Sequence, residues 1–125
     1  GHYGIGGTAM TWDSRYFKRA EFACKCGCGA DTIDYELVRA LDDIREHFDR
    51  PVVITSAVRC ASHNKAVGGA AGSQHLRGRA ADITVYATSP GLVADLAEEL
   101  GLGGVGRYEN FTHIDTRHGK SRWVG

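Results

Sequence analysis

His75, Asp82 and His113 are the residues of this chain whose types and order best suit chemistry. Two imidazoles and a carboxylate can close around one divalent metal. Zinc takes neutral histidine nitrogens and carboxylate oxygens, and a catalytic zinc stops at three protein ligands so that water holds the fourth position. Spacing alone leaves a second reading open, because H-x6-D is a common pattern and both histidines could be ordinary polar residues on a loop and a strand. The flanking segments Ser73-Gln74-His75-Leu76-Arg77-Gly78-Arg79-Ala80-Ala81-Asp82 and Thr112-His113-Ile114-Asp115 favour the metal.

A metal-assisted hydrolysis also needs a group that takes a proton from water and passes it to the leaving amine. If the last strand is regular from residue 109, alternation puts Glu109, Phe111, His113 and Asp115 on one face. Glu109 and Asp115 are then the candidate catalytic carboxylates, with solvated or salt-bridged roles as the alternative, Asp115 with Arg117. Arg59, at the end of an apolar run, is a candidate for gripping a substrate carboxylate through a two-pronged charge-assisted fork. Its alternative is a structural ion pair, for instance with Asp43. Ser73 either contacts substrate or braces the loop that carries His75, bracing being the stronger reading. Tyr108 and Asn110, beside the last histidine, complete the candidate substrate-binding set.

Cys24, Cys26 and Cys28, followed by the distant Cys60, could hold a structural metal, provide one disulfide, or remain thiols. Cys60 is expected close to one of the other three.

The elements that must position these residues are legible in part. Ile33, Leu37, Leu41, Ile44 and Phe48 make one apolar stripe and predict a helix from about Thr32 to Phe48, with Asp31 as N-cap. Val52 to Thr55 reads as a buried strand that delivers Ser56 to Arg59. Ala61 to Ala66 suggests a short helical turn, and Gly68 to Gly72 a loop. Ala80 to Val85 reads as a strand carrying Asp82. Ser89-Pro90 opens a second long helix with Leu92, Val93, Leu96 and Leu100 on one side. Two final strands are expected around residues 105–108 and 111–116. This order suggests an α+β domain with a small, mainly antiparallel sheet. Residues 1–21 read as an arm anchored by Trp12, Tyr16 and Phe17, and residues 22–125 as the domain.

The 125 residues allow a single modest core. Fifteen Lys and Arg balance fifteen Asp and Glu, so net charge gives no argument for nucleic acid or an anionic membrane as partner, and neither is expected. No apolar run reaches the ~20 residues of a membrane span, and residues 1–11 lack the basic and apolar regions of a signal peptide.

Ser56-Ala57-Val58-Arg59, Asn64-Lys65-Ala66-Val67-Gly68-Gly69-Ala70, the Ser73–Ile83 segment and Thr112-His113-Ile114 together resemble the zinc DD-peptidase family, over roughly Phe22 to Trp123. The group containing the zinc D-Ala-D-Ala carboxypeptidases is the most similar, and the Hedgehog signalling domain is a more distant relation. The resemblance implies a Hedgehog/DD-peptidase fold, one catalytic zinc on His75, Asp82 and His113, and a substrate carboxylate held by Arg59. It further implies peptidoglycan stem peptides as substrate, cut by a carboxypeptidase, endopeptidase or phage endolysin acting at the cell wall as a monomer. Cysteine habits of the family also favour Cys60 near the Cys24–Cys28 segment. Family members often carry an acid three residues before the last zinc histidine, where this chain has Asn110, and an amide cannot accept a proton at neutral pH. Either Glu109 or Asp115 takes that role, or the domain is a catalytically impaired zinc-containing module that binds the wall.

Overall fold

The computed structural model describes residues 12–125. The sheet has five strands among these residues, in the order β1-β2-β4-β3-β5, and three α-helices accompany it. The elements are α1 (Tyr35–Phe48), β1 (Val52–Ser56), α2 (Ala61–Ala66), β2 (Ala80–Val85), α3 (Pro90–Glu99), β3 (Gly104–Arg107), β4 (Thr112–Asp115) and β5 (Ser121–Val124). Pairing is antiparallel except between β3 and β5, so the sheet is mixed and mainly antiparallel. No helix among the described residues is long and apolar enough to cross a membrane.

Strand alternation divides the sheet's work. Ile54, Ala81, Ile83, Val85, Val105 and Ile114 turn towards the core and pack with Leu37, Leu41 and Ile44 of α1 and Val93, Leu96 and Ala97 of α3. Successive strand side chains point to opposite faces, so Asp82 of β2 and His113 and Asp115 of β4 emerge on the face away from the helices. Register brings them together: Asp82 pairs with His113, and Gly104 and Gly106 of β3 lie opposite Asp115 and His113.

Some local expectations shift. Helix α1 starts at Tyr35, capped by Asp34 rather than Asp31: the Asp34 side chain accepts from the Glu36 N–H. The residues before it are held extended because the Asp34 N–H donates to the Gly78 carbonyl at 2.8 Å, tying the helix start to the loop that carries His75. On α3 the buried residues are Val93, Ala94, Leu96 and Ala97, whereas Leu92 and Leu100 are exposed. Strand β5 had no counterpart in the sequence reading. Phe17 and Phe22 are buried in the core and Trp12 packs on Phe22 with ring centroids 5.6 Å apart, while residues 1–11 of the expected arm lie outside the described residues.

Candidate metal centre

His75 sits on a 3-10 turn, Gln74–Arg77, and its ring is buried. Nδ1 lies 2.7 Å from the Ala57 carbonyl. A carbonyl only accepts, so Nδ1 carries a proton and Nε2 is the nitrogen turned towards Asp82, the one that would face a metal. The turn is held by two further bonds. Ser73 Oγ accepts the His75 N–H at 3.1 Å, and the His75 carbonyl accepts the Arg59 N–H at 3.1 Å. Ser73 therefore braces the ligand loop, and it also lines the adjoining cleft.

Asp82 Oδ1 is 3.3 Å from His75 Nε2 and 3.0 Å from His113 Nδ1. Ligands about 2.0–2.1 Å from a tetrahedral zinc are separated by about 3.3–3.4 Å, so these separations fit one ion held by the three atoms. The donor set fits zinc chemically as well: two imidazole nitrogens, one carboxylate oxygen and an open side. Burial opposes the charge of Asp82, yet hydrogen bonds to His113 and His75 and their charges outweigh it and bring its carboxyl down to about 2.

His113 lies between two carboxylates. Its other nitrogen, Nε2, is 2.7 Å from Asp115 Oδ2. Burial pushes the His113 pKa down, but Asp115 and Asp82 more than offset this, and the net direction is up. Both ring nitrogens face carboxylate oxygens, so in the protonated ring both donate, and a metal held here would take the place of the Nδ1 proton. Asp115 is fully buried and also binds Arg117, through Nη2 at 2.7 Å and through Nε and the backbone N–H at 2.9 and 3.1 Å. Against the cost of burial, these donors hold its carboxyl well below the usual carboxylate range. Gly104 makes the space: a methyl group on it would collide with the Asp115 carboxylate.

A cleft of about 480 Å³ opens beside the three donors. Arg59, Ser73, Gln74, Tyr108, Phe111, Arg117 and Trp123 form part of its wall. Arg59 is steered by three acceptors rather than by Asp43: Ser56 Oγ, Asn64 Oδ1 and Asp82 Oδ2, at 3.0, 3.1 and 3.3 Å. Guanidinium has five N–H donors, so two remain for a ligand beyond these three bonds. Tyr108 stacks on Phe111 with centroids 4.4 Å apart, and its hydroxyl accepts from Trp123 Nε1 at 2.9 Å.

The two candidate carboxylates meet different surroundings. Strand β4 begins at Thr112, and Glu109 and Asn110 occupy the turn before it, closed by the Tyr108 N–H bonding to the Phe111 carbonyl at 3.2 Å. Alternation therefore does not extend back to 109. Both residues are exposed and neither lines the cleft, which removes the geometric argument for Glu109 as base and for Asn110 as a substrate contact. Asp115 has both oxygens engaged and no exposed surface, a geometry that suits bracing His113 and leaves no oxygen open to the cleft. Among the described residues, Asp82 is the only carboxylate in the cleft wall.

Two contributors escaped the sequence reading of the site, and a third, Arg117, was expected only as the ion-pair partner of Asp115. Trp123 reaches the cleft from β5 and lies 5.0 Å from the His113 ring. Asn64 is buried beneath Arg59. Arg117 joins the cleft wall while binding Asp115. One signal was available: Gly104 and Gly106 alternate with an apolar residue, and such glycines in a strand mark close approach of other groups. Gly106 lies against the Trp123 indole.

No curated protein matches this chain. A family model described as Peptidase M15 matches residues 15–115, a span that contains His75, Asp82, His113 and the cleft residues Arg59 and Tyr108. The chain belongs to the peptidase M15 family, the zinc DD-peptidases.

Proposed function

We propose that this domain is a zinc peptidase with a Hedgehog/DD-peptidase fold that hydrolyses peptide bonds in peptidoglycan stem peptides, acting as a monomer at the cell wall. The observation that carries the reading is the convergence of His75 Nε2, His113 Nδ1 and Asp82 Oδ1 at tetrahedral spacing beside a cleft bordered by two arginines. Zinc bound there supplies a Lewis acid that polarises the scissile carbonyl and lowers the pKa of its water. Arg59 and Arg117 bring positive charge to the cleft, suited to a peptide that carries a carboxylate. The stacked Tyr108–Phe111 pair and Trp123 offer apolar surface for the rest of the substrate.

Purified cell walls incubated with the zinc-loaded protein should release new amino groups and fragments identifiable by mass spectrometry. A chelator should abolish the release. Fragments formed equally well with chelator, or by a folded His113→Ala protein, would refute the reading.

A second reading, a module that binds the wall without cutting it, is favoured by one observation: the cleft wall offers no carboxylate besides Asp82 among the described residues. Zinc-loaded protein that sediments with cell walls but releases nothing would establish it.

A further inference from the structure

We propose that Cys24, Cys26, Cys28 and Cys60 bind a structural zinc ion of their own as four thiolates, separate from the histidine site. The four sulfur atoms lie within 4.8 Å of one another. No pair is bonded: Cys24 and Cys26 Sγ are 3.5 Å apart, and Cys26 and Cys60 Sγ 3.7 Å, against the ~2.05 Å of a disulfide. Sulfurs about 2.3 Å from a tetrahedral zinc are separated by about 3.8 Å, close to both distances.

The backbone around the cluster is arranged to turn its sulfurs inward. Gly27 and Gly29 adopt φ of +86° and +91°, a region that L side chains rarely adopt, and this lets closely spaced cysteines wrap around one point. The Gly27 N–H donates to the Cys24 carbonyl at 3.2 Å, and the Cys24 N–H to the Ala30 carbonyl at 2.8 Å, closing the loop. Two sulfurs already accept backbone N–H groups: Cys24 Sγ from Cys60 at 3.4 Å and Cys60 Sγ from His63 at 3.3 Å. Such bonds spread the negative charge that a thiolate site concentrates. An all-sulfur tetrahedral set suits zinc, which demands no redox partner.

The consequence reaches the other centre. Cys60 follows Arg59 directly, and the Arg59 N–H holds the His75 carbonyl. Metal at the cysteines would therefore fasten the Cys24–Cys28 loop to the segment that fixes both Arg59 and the His75 turn.

The full chain, purified under reducing conditions with zinc, should hold one more zinc than the Cys26→Ser/Cys28→Ser protein. His113→Ala should lose a different zinc and retain this one, so failure at the histidine site does not count against the cysteine site. Cobalt substituted into wild-type protein should show near-ultraviolet thiolate charge-transfer absorption that the double variant lacks. This spectrum decides the matter if the double variant does not fold. Equal zinc in a folded double variant, a wild-type cobalt spectrum without thiolate bands, or iron in place of zinc would overturn the assignment. So would an unreduced chain lighter by two hydrogens than its reduced form.

Discussion

Asp115 accepts from His113 Nε2 at 2.7 Å in a fully buried position, and Arg117 clamps both oxygens of the same carboxylate. The imidazole is thereby held with Nδ1 towards Asp82. A carboxylate behind a metal-bound histidine fixes the ring and raises its basicity, and its loss usually costs about 10–100-fold in metal affinity. Asp115→Asn should keep the fold and weaken zinc at the His75 site by that range in a competition titration with a chromophoric chelator. Unchanged affinity would remove Asp115 from the support of the metal.

Arg59 makes three directed hydrogen bonds through the planar geometry of its guanidinium, and an ammonium cannot reproduce them. Arg59→Lys should lower kcat/KM on stem peptides by at least about tenfold, equivalent to ~1.4 kcal/mol of transition-state stabilisation. Steady-state kinetics on defined peptides would measure it, and wild-type kinetics would exclude Arg59 from substrate binding.

Glu109→Gln should leave hydrolysis near the wild-type rate, because Glu109 is an exposed turn residue outside the cleft. A positioned acid–base group would instead cost roughly 100-fold or more. Rates of amino-group release from cell walls separate the two outcomes.

Gly104→Ala would drive a methyl group into the Asp115 carboxylate. Overpacking of this kind costs about 1–3 kcal/mol, and denaturant titration of the metal-free protein should register it. The same substitution should also weaken zinc by displacing Asp115 from His113.

Stability and metal binding should respond to pH in opposite senses. The pKa of His113 is raised in the fold, so its stabilising effect on metal-free protein is complete below the unfolded value of about 6.5 and is lost as pH rises through the folded value. Zinc needs the Nδ1 lone pair, so its affinity should grow over that same rise. The depressed Asp115 carboxyl contributes above about 3.9 and loses its contribution as acid takes the pH down through its folded value. Thermal melts of metal-free and zinc-loaded protein across this range should diverge towards alkaline pH, and parallel curves would contradict the assignment of the displaced proton.

Residue types made His75, Asp82 and His113 candidates, since imidazoles and carboxylates can ligate a metal wherever they stand, but spacing alone left an ordinary polar reading open and the flanking motifs carried the choice. Local pattern also located β1, α2, β2 and most of α1 and α3, elements whose apolar periodicity or capping is written locally. The alternation argument for Glu109 gave way at an element boundary: alternation gives the facing of a strand residue but not where the strand begins, and with a turn closed by Tyr108 and Phe111 the strand starts only at Thr112. What only the tertiary structure decided are relationships between distant segments. The β2–β4 register sets Asp82 against His113, glycines of β3 admit Asp115 and Trp123, and β5 joins through parallel pairing with β3. Gathering all four of Cys24, Cys26, Cys28 and Cys60 likewise depends on packing, since spacing along the chain placed Cys60 near one of the others but did not choose between metal, disulfide and free thiols. Ligand identity is a property of single side chains, whereas the positions of protons, supporting groups and sulfurs follow from which backbones lie side by side.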